Sequence, residues 1–393
     1  MRTLIALSAL LLFAACENTN QSQETSLTQI QESPETVHED TIPVKPSFQD
    51  NYYNDVAQFL AGLKGDSINS KFKEFHELEN WADYSSQVNK SWTRFEDRKL
   101  STIKPWVVQN IIETGRCGEN AFYPFSGPDF TYLNAFLPDA KNYYLFGLEP
   151  VGVIPDVNLL EKDSIDQLYA AMNQAIFDNL HLSFFITKKM KEEINNDQVS
   201  GTIPVLLFFM ARSGKLIENV EALDIDDEGK LIVMECRDSI QKPFKKIVRI
   251  DFRDQAEAPT KSLHYFSMNI ANSGFSSSSP LGKFFNALPN DMTTLVKSAS
   301  YCMHEEKFSD IRDVVLAKSK YLIEDDSGIP FRFFNPEQWN THCYGSYDEP
   351  IDAFIEYQQE DLKSAFKEAL GLPFRFGYDY PSNLLITERK DSL

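Results

Sequence analysis

Two segments of the chain bring together residue types that binding or catalysis needs. The first is Tyr123-Pro-Phe-Ser-Gly-Pro-Asp-Phe, followed by Gly147-Leu-Glu-Pro. Around it, Asn120-Ala-Phe-Tyr-Pro reads as a strand, Phe130 to Leu137 as a short helix ended by Pro138-Asp139, and Asn142 to Leu148 as a second strand. A glycine-bearing turn between a strand and a helix is where α/β folds hold anions and nucleotides, because the free N–H groups of the helix start face outward. An acidic residue ending the next strand is placed to accept hydrogen bonds from ribose hydroxyls. Ser126, Gly127, Asp129 and Glu149 are therefore candidate ligand-binding residues. Plain structural duty also accounts for them, with Asp129 as a helix N-cap and Glu149 as a turn residue. In a parallel βαβ unit both strand ends lie on one edge of the sheet. Ser126, Asp129 and Glu149 are thus expected at one rim, with Glu149 partly exposed in a concavity.

The second segment is Tyr321-Leu-Ile-Glu-Asp-Asp-Ser-Gly-Ile-Pro. Asp325, Asp326 and Ser327, after a strand, could hold a divalent cation through oxygen ligands. They could also supply a carboxylate pair for glycoside hydrolysis, or form a solvated turn cornered by Ser327-Gly328. If this strand runs parallel in the same sheet, the acids join the first rim, and the combined pocket favours a cation or a polyhydroxyl ligand. His304, with Tyr301 three residues earlier on an expected helix, could complete a hydrolytic set with Ser327 and Asp310. No Gly-x-Ser-x-Gly elbow supports that set, and a histidine hydrogen-bonded within the fold is the alternative. The aromatic runs Tyr265-Phe266 and Phe331 to Phe334 are core or a carbohydrate platform.

The elements that must position these residues alternate. Val56 to Leu63 and Trp81 to Trp106 carry helical patterns, and residues 48–112 read as a helical subregion. Ser164 to Leu180 is a helix with Ile165, Leu168, Tyr169, Met172, Ile176 and Phe177 on one face. Ile203 to Met210 is a buried strand or a short core helix. Val220–Ile225 and Leu231–Cys236 form a hairpin, and Ile247–Phe252 and Leu263–Phe266 continue a sheet. Leu295–Met303 and Ile311–Leu316 read as helices, Tyr321–Glu324 as a strand, Asp352–Leu370 as a helix and Asn383–Thr387 as a final strand. The expected fold is α/β, or α+β, with a mixed sheet: a Rossmann-like strand–turn–helix–strand unit, an antiparallel section and the helical subregion in front. Residues 48–393 make one large domain, with 113–393 as its sheet-containing core.

The 38 basic and 58 acidic residues give a formal net charge of −20. Nucleic acid is a poor partner for such a surface, since its binding rests on neutralised phosphates, and anionic headgroups repel it. The cofactor stays unknown, and no residues are assigned as metal ligands. Beyond Cys16, four cysteines remain, Cys117, Cys236, Cys302 and Cys343, none in a CxxC spacing. They permit three disulfide pairings or buried free thiols.

The chain opens Met1-Arg2-Thr3 and is mostly apolar from Leu4 to Ala15. That apolar run suits a signal peptide and is too short for a bilayer span. Leu12-Phe13-Ala14-Ala15-Cys16 resembles the lipobox of bacterial lipoproteins. The resemblance implies removal of residues 1–15, diacylglyceryl and acyl chains on Cys16, and anchoring in the cell envelope. With Glu17 and not Asp after the cysteine, it points to the outer membrane. Residues 16–47 are polar and poor in aromatics, a composition that cannot offset its ordering entropy. They form a lipidated tether that holds the body roughly 30 Å from the lipid. The segment from Asn120 to Glu149 resembles the first two motifs of Rossmann-like methyltransferases, with Ser126, Gly127 and Asp129 in the loop and Glu149 as the ribose acid. The body as a whole resembles a family of secreted bacterial proteins and lipoproteins of unknown function. Two classes of function follow. One is an envelope module binding a small polar ligand or a protein partner. The other is an enzyme, a degenerate methyltransferase-like transferase or a carboxylate-based hydrolase.

Overall fold

The computed structural model describes residues 51–65, 67, 69–182, 200–234, 246–378 and 382–390. The signal peptide, Cys16, the tether and Cys236 lie outside the described residues. The fold is α/β. Among the described residues ten strands form one mixed sheet: β1 (Asn120–Tyr123), β2 (Asn142–Gly147), β3 (Leu216–Ile225), β4 (Leu231–Val233), β5 (Ile247–Arg253), β6 (Lys261–Ser267), β7 (Met292–Val296), β8 (Ser319–Glu324), β9 (Trp339–Gly345) and β10 (Asn383–Arg389). Their order is β4-β3-β5-β6-β2-β1-β7-β8-β10-β9.

The centre, β6-β2-β1-β7-β8, is parallel throughout. Numbered along the chain, these five strands stand 3-2-1-4-5, the doubly wound order, which reverses direction at β1. Antiparallel strands flank both sides, β3, β4 and β5 beyond β6 and β9 and β10 beyond β8. A parallel centre must be covered on both faces, so its strands are apolar on both. Ala121, Tyr123, Tyr143, Leu145, Leu263, Tyr265, Leu295 and Ile323 point into one core. Phe122, Tyr144, Phe146, Phe266, Val296 and Leu322 point into the other.

The first core is roofed by α1 (Tyr52–Leu60), α2 (Ser70–His76), α3 (Glu79–Phe95), α4 (Ser101–Val107), α5 (Phe130–Phe136), α6 (Lys162–Leu182) and α7 (Ile203–Arg212). Single π turns at Glu96–Leu100 and Val108–Ile112 extend α3 and α4 into one helical run. The second core is covered by α8 (Pro280–Ala287) and α9 (Ser309–Lys318). A short helix, α10 (Glu360–Ala365), lies near the C-terminus. Among the described residues no helix is long and apolar enough to cross a membrane.

Several expectations change. Ile203–Met210 is helical, within α7. Leu295–Met303 is not a helix: Met292–Val296 is the buried strand β7, whose Thr-Thr-Leu-Val run fits a pleated surface between two neighbours. Asp352–Leu370 is broken into two 3-10 turns around α10, because Phe354 leaves helical geometry and Gln359 is extended. Phe177, assigned to the inner face of α6, is 49 % exposed. The edge strand β9 had no clear pattern. Cys117, Cys302 and Cys343 are free thiols.

Phe122 in β1 has its ring centroid 5.4 Å from Phe146 and 5.2 Å from Phe285 of α8. We expect Phe122→Ala to cost about 3–5 kcal/mol through the cavity it leaves, measured by urea denaturation. A loss below about 1 kcal/mol would show that this layer does not pack through the ring.

Candidate functional site

Ligands of doubly wound sheets sit outside the carboxyl ends of the strands, at the point where strand order reverses. Here that point lies between β1 and β7. The structure brings both singled-out segments to this rim, since β1, β2, β7 and β8 run the same way. Ser126, Asp129, Glu149, Asp325, Asp326 and Ser327 are all there, and all are buried.

Ser126 extends the β1–β2 ladder with its side chain. Its Oγ accepts from Phe146 N–H at 3.0 Å and lies 3.2 Å from Phe146 O, while Gly127 N–H donates to Phe146 O at 3.1 Å. Gly127 turns the chain with φ +54°. The loop N–H of Gly127 is therefore spent on β2 and does not face a ligand.

Asp129 is the N-cap of α5: Oδ1 accepts Tyr132 N–H at 3.2 Å. Its other oxygen lies 3.2 Å from Lys297 Nζ and 3.4 Å from the Tyr123 hydroxyl. Lys297 leaves the end of β7 and is buried, with its ammonium 4.0 Å from the centre of the Tyr132 ring. The ion pair thus joins the end of β7 to the start of α5, across the switch point.

Glu149 is 1 % exposed, so the expected half-open carboxylate is corrected. Tyr265 of β6 donates to its backbone oxygen at 3.0 Å and lies 3.3 Å from Oε2. The carboxylate folds back over its own strand. A Cβ placed on Gly147 would meet Glu149 Oε2 at 2.4 Å and the Tyr265 hydroxyl at 2.6 Å.

The β8 segment holds up the turn that follows β7. Asp325 accepts Ser298 N–H at 2.9 Å and Ser327 N–H at 3.1 Å, and also the Ser327 hydroxyl. Ser327 Oγ in turn accepts Ala299 N–H at 2.8 Å. Asp326 accepts the Tyr301 hydroxyl and, at 2.8 Å, Asn383 Nδ2. Tyr378 closes the outer side: its hydroxyl donates to Ser298 O at 2.6 Å and accepts Ser300 N–H at 3.1 Å.

This turn is strained. Among the described residues, the non-glycine residues with positive φ are Phe125, Ser298, Ser300 and Tyr301. All follow β1 or β7, and each such conformation costs of order 1–3 kcal/mol unless its surroundings over-determine it. The bonds from Asp325, Ser327, Asp326 and Tyr378 do so.

Burial pushes all three acids of the β8 segment upward. Glu324 is held well above the carboxylate range by desolvation, with one buried oxygen lacking a partner. Asp325 is raised by desolvation, offset by the Ser327 and Ser298 hydrogen bonds and the Lys297 charge. Asp326 is raised to about 7 by desolvation and the neighbouring Asp325.

The open acidic pocket expected at this rim is thus corrected. Apart from Glu324 Oε1 and Ser298 Oγ, its polar groups satisfy one another, because an unpaired buried charge costs more than it could gain by waiting for a ligand. The hydrolytic set is not assembled either. Ser327 serves Asp325 and Ala299, and Asp310 begins α9, its N–H bonded to Asn272. His304 sits in a 3-10 turn, not on a helix. Tyr265 and Phe266 are core; Phe334 is buried beside Trp339. Among the described residues no group of three or more His, Cys, Asp or Glu side chains is arranged to hold a metal ion. Lys297 and the strained turn after it were not anticipated. The signal was a β-branched run meeting Lys-Ser-Ala-Ser, which helical periodicity masked.

Two outcomes follow. Lys297→Met, which leaves Asp129 buried with its charge unpaired, is expected to cost about 3–5 kcal/mol. Adding Asp129→Asn, which keeps a cap, should recover part of that loss in urea melts; additive losses would mean the pair is not coupled. Asp326 binds its proton more tightly folded than unfolded, so wild-type stability should fall as pH rises from about 4 to about 7. Asp326→Asn should flatten that decline, and an unchanged profile would refute the assignment. No protein-family model, no curated protein and no solved structure matches this chain, so its function has to be argued from these residues.

Proposed function

We propose that this chain is an envelope lipoprotein, anchored through lipid on Cys16, whose body is a binding module for a small polar ligand or a protein partner. It uses a Rossmann-like scaffold whose nucleotide crevice is filled from within. The observation that carries the reading is the pairing of the switch-point residues with each other. Asp129 is committed to Lys297 and to the start of α5, and Glu149 to Tyr265.

The methyltransferase-like alternative gains support from the 3-2-1-4-5 order of the parallel strands. Fold alone does not carry an activity, though. S-adenosylmethionine needs a loop with free N–H groups and an acid that can reach its ribose. Gly127 N–H is bonded to Phe146, and the Glu149 carboxylate is folded against Gly147 and Tyr265. These residues do not fit the cofactor, and no step is derived through it. The carboxylate-hydrolase alternative meets the same obstacle, since Asp325 and Asp326 are both buried and hydrogen-bonded.

The anchor half of the proposal rests on the lipobox-like Leu12–Cys16 and the polar tether. Several acyl chains give stable anchoring where one gives marginal binding. Cys16→Ser should leave the chain without fatty acid and shift it from the detergent phase to the aqueous phase. Detergent partitioning of that variant, with no labelled fatty acid in the wild type, would refute the anchor. Calorimetric titration of the full chain with S-adenosylmethionine should give no saturable heat. A dissociation constant tighter than about 100 μM would revive the transferase reading.

A further inference from the structure

On the other face of the sheet, the loops after β7 and β8 bring cations together in a chain whose net charge is −20. Arg312 lies on α9, in the β7–β8 connection, and is 6 % exposed. Its guanidinium carbon stands 4.3 Å from the centre of the Phe333 ring. Arg332, on the turn Phe331–Phe333 after β8, stands 5.1 Å from the same ring. His304, on the turn Cys302–His304 after β7, feels the charge of both. Its ring packs edge-on against Tyr301 at 5.0 Å and Tyr357 at 5.4 Å.

The charges here are poorly compensated. Among the described residues, the carboxylate paired with Arg312 is Glu306, 3.8 Å away on a side chain that is 90 % exposed. Arg312 also donates to Met303 O at 3.0 Å, but its Nε is buried without a partner. His304 Nε2 is likewise buried without a partner. Among the described residues no carboxylate pairs with Arg332, and the neighbouring Glu305 is engaged by the Tyr357 hydroxyl.

A buried guanidinium held by one exposed carboxylate carries a desolvation cost that its visible partners offset only in part. Buried polar atoms without partners in native folds are exceptions that call for a reason, an ion or ordered water among them. Both loops also lie at the carboxyl edge of the parallel strands, where such sheets take their ligands.

We propose that Arg312, Arg332 and His304 form a binding site for a phosphate group, free or on a small phosphomonoester. Arginine is suited to this, because its planar fork matches the oxygens of phosphate. A bound oxyanion would give Arg312 Nε the acceptor it lacks; His304, which already bonds the Asp326 backbone, would use Nε2 as a second donor on taking up a proton, which the charge of the oxyanion favours. It would also relieve the local charge that, after burial itself, holds the His304 pKa down to about 4. Phe333 keeps the two guanidiniums in place. The site borders the β8 brace, since His304 bonds the Asp326 backbone and packs on Tyr301, but it uses neither Lys297 nor Asp129.

The test is thermal melting of the full-length lipoprotein in detergent micelles, titrated with inorganic phosphate against sodium chloride of matched ionic strength. The expected result is a saturable rise in melting temperature with phosphate that chloride does not reproduce. Arg332→Ala, an exposed position, should leave the phosphate-free melting temperature within about 2 °C and weaken phosphate at least about tenfold. Arg332→Lys should retain part of the affinity. His304→Gln should weaken it as well, without removing either guanidinium. A phosphomonoester such as glycerol phosphate, titrated in parallel, tells the two sources apart: tighter binding than phosphate assigns the site to the ester, equal or weaker binding to the free ion. No saturable rise up to about 20 mM phosphate overturns the proposal. So does an Arg332→Ala variant that binds phosphate as tightly as wild type.

Discussion

The arrangement at the switch point depends on one buried ion pair. Lys297 has no exposed surface to speak of, and taking an ammonium out of water costs several kcal/mol even after relaxation. It is retained because three things meet it there: the Asp129 carboxylate at 3.2 Å, the face of Tyr132 at 4.0 Å and the field of Asp325. Asp129 would be unstable in the same place without it, although its cap bond to Tyr132 N–H and its contact with Tyr123 share the load. Each ion is tolerable because the other is present. The pair therefore fixes how the start of α5 meets the end of β7, and with it the geometry of the crevice between β1 and β7.

The strained turn after β7 follows from that fixture. Lys297 must point into the first core, so the chain must turn sharply behind it. Ser298, Ser300 and Tyr301 adopt positive φ to do this. Serine and tyrosine lack the freedom of glycine there, and the strain persists because the β8 segment holds the Ser298 and Ala299 N–H groups and the Tyr301 hydroxyl while Tyr378 holds the Ser300 N–H. Asp325, Ser327 and Asp326 are thus best understood as the brace of a strained loop. Their raised proton affinities are a consequence of sealing that brace from water.

Much of the fold was legible. The Asn120-to-Glu149 unit announced itself, because a strand, a proline–glycine turn, a short aromatic helix and a second strand have distinct local chemistry. The hairpin around Asp226–Lys230 and the final strand were equally plain. The convergence of Asp129, Glu149 and Asp325 at one rim followed from parallel strand direction alone. What could not be read was burial. Whether Glu149 faces water depends on Tyr265, which lies more than a hundred positions away in sequence, and whether Asp129 binds a ligand depends on Lys297. Short apolar runs gave the other errors: Leu295–Met303 has helical spacing, yet Thr293 and Thr294 and the neighbours β1 and β8 make its first part a strand.

The two faces of the sheet treat their polar groups differently, and this bears on where a ligand can act. On the first face every acid at the rim is matched to a lysine, a tyrosine, a serine or a backbone N–H. A ligand arriving there must first break those bonds and then do no better than replace them. On the second face, among the described residues, Arg312 Nε and His304 Nε2 are buried without a partner near the loops after β7 and β8. A ligand arriving there meets a buried donor, Arg312 Nε, that no other group holds. A Rossmann-like sheet whose switch-point crevice is filled by its own side chains can still present a site one loop away, on residues that follow β7 and β8.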